Sequence, residues 1–144
     1  MWYYHDAAFD PKEGELDPKK DIGFVYLITN QVNGKKYVGK KRFFFSKTKQ
    51  VKGKKKKTKA ESDWRTYYGS NGALLQDVKD LGESSFRREI LYLCNSLSEC
   101  SYLEAHEQFT RQAILSPAYY NDWIQVKITR KHLKKLQLKD VQGA

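Results

Sequence analysis

The stretch FVYLITNQVNGKKYVGKKR, Phe24 to Arg42, sets β-branched and aromatic residues on either side of an Asn33-Gly34 pair. Such side chains suit a pleated, half-buried surface, and Asn-Gly is a strong tight-turn signal. The pattern predicts a strand over 23–29 and a return strand over 35–39. With Asn33 and Gly34 as the two turn residues, Tyr37 pairs with Asn30, and Lys41 lies opposite Tyr26. A wider loop starting near Asn30 brings Tyr26 opposite Tyr37. Either register places both tyrosines on one face, because strand side chains alternate with period two. That face is either ordinary core or a surface shared by two phenols and a cation.

Outward from the hairpin, residues 1–21 read as an irregular, polar lead-in broken by Pro11 and Pro18. Residues 46–59, SKTKQVKGKKKKTK, read as a mobile Lys-rich insertion that orders on a phosphate backbone. Leu74, Leu75, Val78 and Leu81 recur at helical spacing over 73–81, with Gly82 as the stop. Phe86 to Leu93 alternates as a third strand. Ser96-Leu97-Ser98-Glu99 has the form of a capping box and opens a helix expected to run to about Leu115, ahead of Pro117. Tyr119 to Ile124 reads as a short extended piece, and Thr129 to Lys139 as a basic helix within a tail over 126–144. The 144 residues are expected to form one domain with a modest core.

Charge narrows the function classes. Lys and Arg number 27 against 17 acids, a formal net charge of +10. Thirteen cations fall between Lys35 and Lys59, and the next acid is Glu61. Such a field attracts polyanions, nucleic acid first among them; the alternative is a solvated Lys-rich loop that aids solubility. No apolar run approaches the roughly 18 residues a membrane span needs. The N-terminus lacks a basic start followed by an apolar stretch, so no secretory signal is read, and a cytoplasmic protein is expected. Cys94 and Cys100 match no paired zinc pattern and are expected to be free thiols.

These residues resemble the GIY-YIG nucleases. The first motif reads Gly23-Phe24-Val25-Tyr26, which departs from strict GIY but keeps the tyrosine; the second reads Tyr37-Val38-Gly39. The step between the tyrosines, the DWRTYYGSNGALL segment, the capped helix and SPAYYNDWI extend the likeness over residues 22–125. YVGKKRF followed by SDWRTYYGS looks like stand-alone members encoded by large bacterial viruses, which places the chain in host cytoplasm. The resemblance implies an α+β fold: a small three-stranded antiparallel sheet flanked by helices. It also implies Mg²⁺-dependent hydrolysis of nucleic-acid phosphodiesters, with Mn²⁺ able to substitute.

That chemistry needs an in-line water, a proton acceptor and a charge clamp on the phosphate. A free tyrosine, with its pKa of about 10, is a poor base; neighbouring cations favour the phenolate. Tyr26 is thus assigned as general base, and Tyr37 positions the water or a phosphate oxygen. Lys41 polarises Tyr26 or binds backbone phosphate. The family's arginine has no clear counterpart. Arg42 comes too early, so Arg65 is the candidate clamp, its alternative being a surface residue supporting a turn; Tyr68 is a candidate further phenol. The resemblance implies a glutamate ligand on the capped helix. Glu104 is favoured from the YLE…QF pattern. Glu107 is kept, because on a helical wheel it falls within the apolar stripe, where a carboxylate is costly unless paired or ligating. A single carboxylate suits a hard, oxygen-liganded ion. Asn121 maps to the family's asparagine in a supporting role. Lys40, Arg42, Lys54, Lys55, Lys56 and Lys57 are expected to touch DNA phosphates. RNA stays open as a substrate, as does monomer against homodimer. The leading reading is a DNA endonuclease; the alternatives are a non-catalytic nucleic-acid-binding protein on the same scaffold and a basic protein that binds an acidic partner.

Overall fold

The computed structural model describes residues 1–142, so Gly143 and Ala144 of the expected tail lie outside the described residues. Strands form at Trp2–Tyr4 (β1), Ala7–Phe9 (β2), Gly23–Asn30 (β3), Lys36–Arg42 (β4), Phe44–Val51 (β5), Lys54–Glu61 (β6) and Phe86–Cys94 (β7). Helices form at Gly72–Leu81 (α1) and Leu97–Thr110 (α2).

The main sheet has five strands in the order β2-β1-β7-β3-β4, not three. The additional two come from the lead-in expected to be irregular. β1 runs parallel to β7, with Trp2 beside Arg88, and turns back into β2. Trp2 is what ties it down. Its ring is fully buried against Phe24 and Tyr26, and its indole N–H donates to the Trp64 carbonyl at 2.8 Å.

β3 lies between β7 and β4 and is buried on both faces. Phe24, Tyr26 and Ile28 look into an aromatic core with Trp2, Phe43, Trp64 and Leu74. Val25 and Leu27 look into a second core with Val38, Tyr92, Cys94 and, from α2, Cys100 and Leu103. β7 serves both cores. Val25 pairs with Tyr92 and Tyr26 with Ile90, so Leu91 is an extra residue, a bulge that hands the even-numbered side chains from one face to the other. Cys94 and Cys100 are buried free thiols.

The hairpin takes a register between the two expected. Tyr26 pairs with Gly39 and Ile28 with Tyr37. The connection is a four-residue loop, 31–34, closed by the Asn30 N–H to the Lys35 carbonyl at 2.8 Å. Gly34 takes the left-handed conformation, with φ +78°. The sum of paired residue numbers stays odd in all three registers, so both tyrosines still share a face.

The Lys-rich insertion is not a mobile loop. β5 and β6 form a separate antiparallel ribbon that turns at Lys52-Gly53, both with positive φ. α1 starts where expected, with the Asn71 side chain accepting from the Leu74 N–H. α2 starts at the Ser96 cap, whose hydroxyl accepts from the Glu99 N–H. The reciprocal bond of the box goes instead to the Asn95 N–H. α2 stops at Thr110 rather than about Leu115. The expected basic helix is two short 3₁₀ turns, Arg130–Leu133 and Leu138–Asp140. Among the described residues no helix is long and apolar enough to cross a membrane.

Candidate active site

Gly39 is what lets the two strands of the hairpin build a site. A Cβ there would overlap Tyr26 Oη and Cζ and press on the Tyr37 ring. Its absence leaves the Tyr26 phenol lying across β4, with its ring 6.2 Å from that of Tyr37. Both phenols line a cleft of about 340 Å³ together with Lys40, Ser70, Glu104, Gln108, Asn121, Asp122 and Trp123.

The outer edge of β4 organises the rest. The Lys36 N–H and C=O bond to Ala118 and Tyr120 of the incoming segment. One step on, the Asn121 side chain takes over. Its amide oxygen accepts from the Val38 N–H at 3.0 Å, and its amide nitrogen donates to the Val38 carbonyl at 2.8 Å. One step further, the Lys40 backbone N–H lies near the Glu104 carboxylate of α2 and favours its charged form. Asn121 therefore positions the segment that carries Asp122 and Trp123 into the cleft.

Burial decides the titration of the site. It pushes the Tyr26 phenol well above its ordinary range, and the neighbouring Tyr67 and Tyr37 phenols add to the effect. Tyr37 is raised too, mainly by burial and against a hydrogen bond with Ser70. Glu104 is also raised by burial, with the Lys40 charge acting against it. The Lys40 ammonium donates to Ser101 Oγ at 2.6 Å and lies 4.0 Å from the Glu104 carboxylate. Among the described residues no cation holds Tyr26 as phenolate: Lys41 instead pairs with Asp63 at 2.6 Å and sits over the Tyr67 ring.

Several expected residues are not brought to the cleft. Arg65 stacks on Trp64 and is held by Glu61 and Asp10. Tyr68 lies over the Arg88 guanidinium and lines a different pocket with Met1 and Tyr3. Glu107 is buried and pairs with Arg111 through Oε2 at 3.3 Å, while its Oε1 has no hydrogen-bond partner among the described residues; it does not line the cleft. Arg42 and Lys54–Lys57 are exposed, away from the phenols. Trp64 is core, and His106 meets the Gln142 carbonyl.

Other residues enter without having been anticipated. Tyr67, not Tyr68, reaches Tyr26; their rings are 6.0 Å apart. Arg88 sets that choice. It is buried between the Trp2 and Tyr68 rings and donates to the Arg65 and Tyr67 carbonyls at 3.1 and 2.9 Å. Asp122 and Trp123 line the cleft, and Trp123 is 67% exposed. A charged residue at an inward position of β7 was the available signal for Arg88; for Tyr67 there was none.

The family model described as "Putative endonuclease segE, GIY-YIG domain" matches residues 2–124. The chain belongs to the GIY-YIG endonuclease family. A curated relative, "Putative endonuclease segE" of Enterobacteria phage T4, is 37% identical over 98 residues, which cover 68% of this chain and 39% of the relative. The chain thus spans about two fifths of that relative's length. No solved structure matches it. The GIY-YIG match begins at Trp2 and so takes in β1 and β2 along with the hairpin.

The family implies a divalent metal. Among the described residues no group of three or more His, Cys, Asp or Glu side chains converges on one point. The cleft does hold the Glu104 carboxylate, half-buried, with Asp122 on the same lining. A hard ion that keeps most of its waters needs only one or two carboxylates, so this donor set fits Mg²⁺.

Proposed function

We propose that the chain is a Mg²⁺-dependent endonuclease that hydrolyses DNA phosphodiester bonds in the Tyr26–Tyr37–Glu104 cleft, with Mn²⁺ able to substitute. The observation that carries this reading is the convergence of two phenols, an ammonium and a half-buried carboxylate on one cleft beside a strongly basic surface. Glu104 would hold the metal, with Asp122 on the same cleft lining. When bound, the ion supplies positive charge that neutralises the phosphate and lowers the pKa of nearby water and phenol.

The chain's own groups do the rest. Tyr26, as the phenolate, accepts the proton of the attacking water at Oη. Its burial means that it does so only in a cleft that already contains positive charge. Tyr37 orients that water or a phosphate oxygen. Lys40 is placed to clamp the phosphate, the role the spacing had assigned to Arg65, and the exposed Trp123 offers a stacking surface to an unpaired base.

The test is cleavage of supercoiled plasmid with Mg²⁺ and with Mn²⁺, an EDTA control, and binding measured in EDTA. Wild type is expected to cut. Tyr26→Phe and Glu104→Ala are expected to bind but not to cut, and Lys40→Ala to lose more activity than Arg65→Ala. A wild type that binds but cuts neither plasmid, single strands nor RNA with either metal refutes the enzyme and leaves a binding module on the same scaffold.

A further inference from the structure

The β5–β6 ribbon stands apart from the main sheet. Its strands pair with each other and, among the described residues, with no other strand. Each has eight residues, which at about 3.3 Å per residue makes an arm of roughly 26 Å. Residues 44–61 carry eight lysines and one acid, and that acid, Glu61, is held at the root by Arg65. Lys54 through Lys59 are exposed. A two-stranded ribbon without a covered face is at best marginally stable in water, so an arm of this composition wants a partner, and its charge selects a polyanion.

The register gives the arm a sided chemistry. Ser46 pairs with Lys59, Thr48 with Lys57 and Gln50 with Lys55. Directly paired residues share a face, so one face sets a row of hydroxyl and amide groups beside a row of ammonium groups. Lys59, nearest the root, donates to the Pro18 carbonyl; the outer positions carry no such tie to the body. Donors and acceptors beside cations are what base edges and flanking phosphates require.

The root fixes the arm relative to the chemistry. Only Phe43, fully buried, separates β4 from β5. Lys40 lines both the cleft of the two phenols and a groove of about 680 Å³ walled by Arg42, Phe44, Phe45 and Leu97 at the ribbon's base.

We propose that the ribbon lies in the major groove of duplex DNA, with the Ser46–Thr48–Gln50 face toward the base edges, and holds the duplex at a set distance from the cleft. The reading deepens the proposed nuclease function and rests on DNA as its substrate. The B-form major groove, about 12 Å wide, admits a two-stranded ribbon, whereas the A-form groove of an RNA duplex is too narrow for side-chain readout. The arm therefore favours duplex DNA.

The experiment is binding of the full chain, in EDTA, to a DNA duplex, an RNA duplex of the same sequence and the single strand. Guanine N7 accessibility to dimethyl sulfate is recorded in parallel. Wild type is expected to prefer the DNA duplex by about tenfold or more and to protect guanine N7. Lys55→Gln with Lys57→Gln is expected to reduce the slope of log K against log salt by about 1.8, two contacts at 0.9 each. Thr48→Val with Gln50→Ala, which removes no charge, is expected to keep the slope but lose the N7 protection and the DNA preference. Equal affinity for the two duplexes, or ribbon variants that change neither slope nor protection, overturns the inference. Plasmid cutting by wild type, run alongside, separates the two readings. Cutting with an inert ribbon sinks only the arm; ribbon-dependent binding without cutting sinks only the nuclease.

Discussion

Asn121→Ala tests how the cleft is held. The substitution removes two hydrogen bonds to Val38, a residue with no solvent exposure. The Val38 N–H has no second acceptor in reach, and an orphaned buried donor costs about 1–3 kcal/mol. The Val38 carbonyl keeps the Gln108 amide at 3.3 Å, so its loss is at the low end, about 0.5 kcal/mol. The sum is about 2–3 kcal/mol, a large part of the roughly 5–15 kcal/mol that holds a domain together. With a urea m-value of about 2 kcal/mol per molar, the midpoint falls by about 1–1.5 M at unchanged slope. Gln108→Ala, which removes only the longer bond, is expected to cost under about 1 kcal/mol. Urea titration followed by far-UV dichroism measures both. A midpoint shift below about 0.3 M for Asn121→Ala refutes the reasoning, because Val38 would then have found another partner at no cost.

Two further outcomes are expected. Burial raises the Glu104 carboxyl above its unfolded value. Between the two values the folded chain holds more protons than the unfolded one, so stability falls as pH rises through that window. Glu104→Gln should therefore melt higher than wild type at pH 7 and equally below about pH 4, where both states are protonated; Mg²⁺ should raise the melting temperature of wild type and not of the variant, and the opposite order at pH 7 refutes the burial argument. Gly39→Ala drives a methyl into Tyr26 Oη, and Tyr26 is packed among Trp2, Tyr37 and Tyr67. A loss of about 1–3 kcal/mol is expected from overpacking, together with loss of plasmid cutting; a fully active, fully stable Gly39→Ala variant contradicts the placement of Tyr26 over β4.

What could be read from the residues alone follows what is local. The shared face of Tyr26 and Tyr37 survived an error in register, because face depends only on parity, and the Asn-Gly turn fixed the parity without fixing the loop length. The cap at Ser96 was legible because its bond spans three residues. The pairing of β1 with β7 joins residues more than eighty apart, and a three-residue strand has too little pattern to announce it. The Lys-rich ribbon hid for another reason. Lysine disfavours strands, so Thr48, Thr58 and the Lys52-Gly53 turn were outweighed by composition. Tyr67 and Tyr68 are neighbours in extended chain and point opposite ways. Arg88, fastened to the Tyr67 carbonyl and stacked on Tyr68, sets which one reaches Tyr26.

The same locality explains why Arg65 does not line the cleft. Arg65 has the geometry for a phosphate, but Glu61, four residues back, and Asp10 already hold it. Lys40 was one cation among thirteen until the strand edge was in view. Along that edge the outward N–H groups of Lys36 and Val38 meet a backbone carbonyl and then an amide side chain, and that of Lys40 comes near a carboxylate. A sheet edge normally needs a neighbouring strand, a cover or a charge to silence it. Here the cover thins residue by residue until it ends at Glu104, beside Lys40. The half-buried carboxylate thus ends the edge and faces the open cleft. A neutral side chain could end the edge as well; a carboxylate instead sets a negative charge beside Lys40, at a cost in stability that the Glu104→Gln comparison measures directly.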